Sequence, residues 1–531
     1  LKSVTRAKEG IDGCLSDLEH LDIIRTQSLQ PDLEYIFKHA LSQEVIYSSI
    51  LKKDREAIHE RIASVMEQMF HDRLSEFYET LAFHFAKARV DIKAVFYLMK
   101  SGRKSLRRYA VEESHQYFQQ AFDLICGKLH KTMDEKEVLI DIIINWALVF
   151  YYRGDFKGLE ELMRSHMNIA ETMADRAKIG IFYSWFGFAL FCREKIKDSY
   201  IYLKKALELG EKIENQLVIC SACTSLTWVC AELGLFKEGI QYGERAQGIC
   251  ETIDSDSTLF FQSLGGMSFN YFYMGESQKN FEIGKILLNY GRKHSSSRSL
   301  VVGHISIGHA YWAAGKLSSA IECYQKAIEV AKDPFYLQWP GLFLGMSIAQ
   351  SEQFRESEPP LQKVLEYGMN CGCESIGSPA YLFLGVVMIR KGSMALGLNM
   401  IKEKLESCKQ NERKFGIVLI EYILGKFFFQ LALRLEPVSL SNMFRNIAFL
   451  IRYLPVAEKK ALVHFNRAIE AAGEIGANGI MGQVYYDMGI LHKLKKRTGQ
   501  ARECLSRAAQ IFEQCEANIY QEQTREALES L

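Results

Sequence analysis

Proline is scarce: 8 residues in a chain of 531. Because proline breaks helices by removing a backbone donor and fixing φ, so few of them point to long uninterrupted helices. A dominant charge is also lacking. Lys plus Arg number 65 and Asp plus Glu 64, a net charge of +1, which excludes the bulk electrostatic attraction that nucleic-acid and anionic-membrane binders use. No nucleic-acid partner and no membrane association is expected. The most apolar window, Phe415 to Leu435, is interrupted by Glu421, Lys426 and Arg434. Each of these costs about 2.5–3.5 kcal/mol at a bilayer centre, so the window reads as a buried helix. No signal peptide is expected at the start of this sequence. The 13 cysteines are scattered through apolar contexts, and the closest pairs, Cys220/Cys223 and Cys371/Cys373, lack the second pair that zinc spacing needs. Reduced thiols, a cytoplasmic setting, no disulfide framework and no metal site are expected.

Hydrophobic side chains make up 48% and charged ones 24%, the composition of a folded globular or helical-repeat protein. Length alone predicts three or four compact domains of about 150 residues, whereas proline scarcity predicts one elongated array. The chain opens on Leu1 within charged sequence, which gives the expectation that it belongs to something longer.

Self-similarity is strong. One copy reads Gly308, Tyr311, Gly315, Ala320, Tyr324 and Ala327, followed by Pro334. Small residues let two antiparallel helices approach closely while large ones fill the groove between neighbouring units, the order a tetratricopeptide unit needs. The first small position recurs at Ala147, Gly187, Thr227, Ser268, Gly308, Gly345, Gly385 and Gly425, with successive differences of 40, 40, 41, 40, 37, 40 and 40. A further copy holds Gly489, Ala501 and Ala508; it follows Gly425 by 64, one period plus an insertion of about 24 residues around 436 to 454. Less regular units precede, one with Ala82 and Ala94 and one with Ser114, Phe118 and Ala121. The period exceeds the usual 34 residues, so each helix should be longer by most of a turn. The pattern predicts an all-α, right-handed superhelix of about ten helix pairs over residues 76–531. The apolar insertion, with Met443-Phe444 and Ala448 to Ile451, is expected to pack as a helix near 436–456.

Residues 1–75 read differently. Ile11 to His20 has helical spacing, Ile23-Ile24 and Tyr35-Ile36-Phe37 look like short strands around a Gln30-Pro31-Asp32 turn, and Ala40 to Phe70 is helical again. Helix, hairpin and helix predict a winged-helix-like module. The sequence here runs Leu18-Glu19-His20-Leu21-Asp22, then Tyr35-Ile36-Phe37-Lys38-His39-Ala40-Leu41-Ser42-Gln43-Glu44, then Ile58-His59-Glu60-Arg61-Ile62. It resembles the segment after the ATPase core in bacterial class III adenylate/guanylate cyclases that carry an AAA-type, STAND-like ATPase domain and a C-terminal tetratricopeptide array. The resemblance continues through Arg73 to Glu79 and Tyr109 to Ser114, and in organisation to the end. It implies the regulatory, partner-sensing part of such a protein, with residues 1–75 as the end of the ATPase region. No Gly-x-x-x-x-Gly-Lys-[Ser/Thr] loop occurs; Gly315-Lys316-Leu317 and Gly284-Lys285-Ile286 lack the loop and the hydroxyl that meets Mg²⁺. Neither ATP hydrolysis nor cyclisation is expected of these residues, and no cofactor. ATP or ADP is expected only in the parent, through another domain.

Three candidate sites stand out. His39 sits where a strand passes into a helix, a place where an imidazole can meet phosphate; by the resemblance it matches a histidine that reads bound ADP, against a helix-start histidine satisfied locally. Lys100, Arg103, Lys104, Arg107 and Arg108 fall on one helical face, a docking surface for an acidic partner or for the protein's own upstream domains, or else a solvated face. The third is periodic. One residue after successive markers stand Phe188, Trp228, Phe269 and His309, and four after stand Tyr151, Phe191, Phe272 and Trp312. These form an aromatic ladder, either core between helices or a concave groove for a protein or peptide. No His-Glu-x-x-His, Gly-x-Ser-x-Gly or paired carboxylates set for acid–base work occur. The resulting expectation is a non-catalytic interaction and sensor region. The alternatives are a dimerisation scaffold for a nucleotide cyclase and the regulatory part of a STAND-type transcription activator; the sequence leaves oligomeric state open.

Overall fold

The computed structural model describes residues 4–5, 10–28, 34–128, 131–252, 257–433 and 445–531. The chain divides into two compact units, Leu1–Val149 and Phe150–Leu531.

The first unit opens with α1 (Ile11–His20), β1 (Ile24–Ser28), β2 (Glu34–Phe37), α2 (Ala40–Ser49) and α3 (Lys52–Met69). β1 and β2 pair antiparallel, Ile24 opposite Phe37, and Glu19 of α1 accepts from the Thr26 amide at 3.1 Å and its hydroxyl at 2.8 Å. The expected Gln30-Pro31-Asp32 turn lies outside the described residues. Next come α4 (Tyr78–Lys87), α5 (Asp91–Arg107), α6 (Val111–Cys126) and the start of α7 (Met133–Arg153). The corner of α2, α3 and α4 is tied by histidines: Tyr47 Oη lies 3.0 Å from His59 Nε2, and His59 Nδ1 lies 2.8 Å from His84 Nδ1. Burial, then the neighbouring His59, lowers the His84 pKa to about 4.

The second unit is a succession of antiparallel helix pairs: α8 (Phe156–Glu171), α9 (Arg176–Cys192), α10 (Ile196–Lys212), α11 (Gln216–Leu233), α12 (Phe236–Cys250), α13 (Ser257–Met274), α14 (Ser277–Lys293), α15 (Ser297–Ala313), α16 (Leu317–Val330) and α17 (Pro334–Ile348). It continues with α18 (Glu358–Cys371), α19 (Glu374–Arg390), α20 (Met394–Gln410), α21 (Lys414–Leu433), α22 (Ile447–Tyr453), α23 (Ala457–Ile475), α24 (Asn478–Leu494), α25 (Thr498–Gln514) and α26 (Asn518–Glu529). This is an all-α, right-handed superhelix of the tetratricopeptide kind. In the inserted stretch, Ala448 to Ile451 lie in α22, whose Phe449 meets Phe427 and Tyr453; Met443-Phe444 lie outside the described residues.

The forty-residue period has a steric origin. A methyl on Gly187 would stand 2.6 Å from Leu203 Cγ, one on Gly345 2.7 Å from Leu361 Cγ, and one on Gly489 2.6 Å from Leu505 Cγ. In each case the partner lies sixteen residues on, in the second helix of the pair. At Gly425 the partner is Phe465, displaced further along the chain by the insertion. Where the marker is Thr227 the facing residue is itself glycine, Gly243, and a methyl there would stand 3.5 Å from Thr227 Cγ2. One partner is always small, so the axes stay close while the volume is filled. The same contact joins Gly102 of α5 to Phe118 of α6, and Ser114 Oγ donates to Gly102 O at 2.8 Å just as Ser199 Oγ donates to Gly187 O at 2.6 Å. The repeat thus reaches back into the first unit, with Gly102 as a marker the sequence search missed. Seven residues after a marker the chain reverses through a left-handed residue: Gly154, Gly234, Gly275, Gly315 and Gly392, with φ between 72° and 91°. Side chains cap several helices: Asp155 accepts from Gly158 N at 2.9 Å, Asp175 from Ala177 N at 2.9 Å and Asn215 from Val218 N at 3.1 Å.

The second unit winds tightly enough for successive superhelical turns to touch. The Tyr151 and Tyr336 hydroxyls, 185 positions apart, bond at 2.5 Å. Arg193 donates to Gly372 O at 3.1 Å and pairs with Glu374. The rings of Tyr273 and Phe415 stack with centroids 3.5 Å apart, and the backbones of Gly275 and Gly479 abut. α11 and α21 have the length and composition of membrane spans; in this unit their apolar surface is largely packed against other helices.

Candidate functional site

The first helices of the pairs turn their aromatic side inward, and the next superhelical turn closes over part of it. α17 supplies Phe335, Tyr336, Trp339 and Phe343. Tyr151 packs on Phe335, Phe188 and Tyr336; Phe269 packs edge-on to Trp339 at 5.3 Å. Tyr151, Phe188, Phe191, Phe269 and His309 are buried, whereas Trp228, Phe272 and Trp312 are half-buried. His309 lies fully inside, stacked on Phe272 at 4.3 Å and edge-on to Phe343 at 4.6 Å. Neither of its ring nitrogens has a hydrogen-bond partner, and burial lowers its pKa to about 3. The Trp228 indole donates to Gln262 O at 3.0 Å.

The two turns do not close completely. A cavity of about 520 Å³ remains, walled by Phe191, Trp228, Phe269, Phe272, Trp312 and Trp339 from the aromatic side and by α19, α20 and α21 opposite. Five of the eight ladder residues line it; Tyr151 and Phe188 line a separate space of about 30 Å³, and His309 stands behind the wall. One polar patch interrupts the wall. Arg413 donates to Glu232 at 2.7 Å and pairs with Glu194; Ser378 donates to Glu194 at 3.0 Å and receives from Lys404 Nζ at 2.6 Å. Burial alone would lower the Arg413 pKa, but Glu194 and Glu232 outweigh it and hold the guanidinium charged. Glu194 occupies the turn position where sister repeats have glycine, at φ 55°. That strained placement persists because its carboxylate is held by the opposite turn. At the far end, Lys426 of α21 approaches Asp487 at 3.7 Å and Tyr422 Oη at 3.2 Å; Asp487 and then Tyr422 raise its pKa.

The sequence reading missed the α17 aromatics and this polar patch. Their signals are the spacing of Phe335, Tyr336, Trp339 and Phe343 along one helix, and a glutamate in a glycine position.

The other candidates lie in the first unit. His39 is the exposed N-cap residue of α2, and its side chain makes no capping bond. Lys104 bonds Glu79 at 3.0 Å, Arg103 bonds Asn145, and Lys100 stands 5.4 Å from the Phe96 ring centroid. Arg107 ends α5, and Arg108, just beyond it, lies 3.9 Å from Glu113. Glu79 and Glu113 thus offset part of the basic face. Among the described residues, no group of three or more His, Cys, Asp or Glu is placed to hold a metal ion.

Residues 303–334 match the family model of the tetratricopeptide repeat. A stretch of 107 residues is 33% identical to an uncharacterized protein of Rhizobium meliloti (strain 1021), covering 20% of this chain and 10% of that protein. The match therefore spans a tenth of that relative's length. Similar solved structures include a Rap protein complexed with competence and sporulation factor, 12% identical with a TM-score of 0.49 over 72% of this chain and 99% of that one. A STAND protein with a tetratricopeptide repeat sensor from Pyrococcus horikoshii is 15% identical, with a TM-score of 0.46 over 76% and 60%. The Cut9–Hcn1 assembly of the APC/C is 15% identical, with a TM-score of 0.44 over 91% and 85%. Stacked repeats of this architecture offer extended surfaces for protein–protein contact and regulatory sensing, and are characteristically non-catalytic.

Proposed function

We propose that this chain is the contact and sensing region of a multidomain signalling protein, an ATPase or nucleotide cyclase as the resemblance implies, and that it reads a protein or peptide ligand on the inner face of its second unit. The observation that carries this reading is the cavity of about 520 Å³ left between the two superhelical turns and walled by three tryptophans. A core serving stability alone closes to the density of an organic crystal; space of this size with aromatic walls and a few polar groups is the usual form of a binding site. Ligand binding between two turns would bias their separation, and a partner domain that favours one separation would feel that bias. His39 then serves as a nucleotide-reading residue of the parent, and the α5 basic face as the surface for an acidic partner or the parent's own domains. The chain itself carries no cofactor and works in the cytoplasm.

The test is selection of peptides from a random display library against the folded chain. Selected peptides should lose about 2 kcal/mol of binding, roughly 30-fold, on Trp312→Ala or Trp228→Ala while the melting temperature holds. Peptides indifferent to both substitutions, or a loss of stability equal to the loss of binding, would contradict the reading. For the parent, ADP retained by the longer protein and released on His39→Ala supports nucleotide reading; unchanged retention refutes it.

A further inference from the structure

The cavity is apolar along most of its wall, but Lys426 reaches into it with donor capacity to spare. Lys426 lines the cavity with 47% of its side-chain surface open. An ammonium has three protons to donate. Tyr422 Oη takes one at 3.2 Å, and Asp487, at 3.7 Å, is too far for a hydrogen bond and itself accepts from Tyr422 Oη at 3.1 Å. Gln430, one turn further along α21, and Gln483 of α24 line the same cavity. The other cations of the lining are engaged: Arg413 with Glu194 and Glu232, Arg390 with the Ala349 and Ser351 carbonyls, and Lys404 with the Ser378 hydroxyl. Among the described cations lining the cavity, Lys426 has the most open side chain, and it presents a positive charge with donors to spare beside an aromatic cage. An exposed ammonium beside aromatic walls suits a negative charge carried on an apolar body.

We propose that the cavity binds an amphipathic monocarboxylate, its acid on Lys426 and its apolar body against Trp228, Trp312 and Trp339. The proposal rests on the reading of the inner face as a ligand site and adds the ligand's chemistry. Such an acid can be the C-terminal carboxylate of a short apolar peptide or a free fatty acid, and the two separate by experiment.

Tryptophan fluorescence of the full chain reports occupancy. Three titrations are compared: dodecanoate against dodecanol, N-acetyl-Leu-Leu-Phe with a free carboxylate against its amide, and neutral N-phenyl-1-naphthylamine as a probe of apolar space alone. The acid of at least one pair should bind about tenfold tighter than its neutral partner, and the pair that shows this identifies the source. Lys426→Gln and Lys426→Met should erase that ratio and leave naphthylamine affinity within about twofold. Lys426→Gln keeps a donor for Asp487 if the methionine variant fails to fold. If naphthylamine binds but neither acid outbinds its neutral partner, or if the ratio survives both substitutions, carboxylate recognition is wrong while the inner-face reading stands. If naphthylamine does not bind either, both fall.

Discussion

Glycine in this chain has two opposite roles inside helices, and single substitutions separate them. At Gly345 the Leu361 side chain fills the place of a Cβ, whereas at Gly248 within α12 nothing lies within 4 Å. Gly345→Val forces α17 away from α18 and should cost about 2–3 kcal/mol in urea denaturation, the range of an overpacked core. Gly248→Ala should gain about 0.5–1 kcal/mol from helix propensity. Equal effects would remove close helix approach as the origin of the period. At this scale the sequence was informative, because a marker and its partner are separated by a fixed count and the need for one small residue is visible in the letters. It was less informative about the aromatics. Phe188 and Trp228 occupy equivalent positions in the period, yet one is buried and the other borders a cavity, since their surroundings depend on residues more than a hundred positions away.

At the scale of elements, α9 to α11 are held to α19 to α21 through Arg413. Arg413→Met would leave Glu194 and Glu232 buried without their cation, and should cost about 3–5 kcal/mol of stability. Adding Glu194→Gly and Glu232→Leu should restore most of that loss, because a matched apolar replacement of a buried ion cluster is close to neutral and glycine suits the left-handed turn at 194. A triple variant no more stable than Arg413→Met, measured by urea denaturation, would show that the cluster is not the unit of stabilisation. The sequence marked position 194 only faintly, as a glutamate where its sisters have glycine. Its partners were illegible because periodicity pairs neighbours and says nothing of which distant turn a side chain faces.

At the scale of the whole second unit, the account depends on a superhelix that returns to touch itself. A small rotation per repeat accumulates to one turn in about five repeats, so contacts appear between residues 179 to 219 positions apart. The right-handed stack was legible from the period, but its pitch was not, and the pitch is what narrows an open groove to a partly covered cavity. An exposed ion pair joins the turns where it can be captured without altering the protein: Lys197 and Glu412 lie 2.8 Å apart, with 59% and 52% of their side chains exposed. Water-soluble carbodiimide joins an amine to a carboxylate only when they touch. Peptide mapping of the treated monomer should recover a Lys197–Glu412 isopeptide that Lys197→Arg abolishes, beside the local Lys409–Glu406 link expected of any helix with that pair at 2.8 Å. Recovery of the local link, with none joining residues near 197 to residues near 412, would contradict a self-contacting superhelix and the aromatic cavity between its turns.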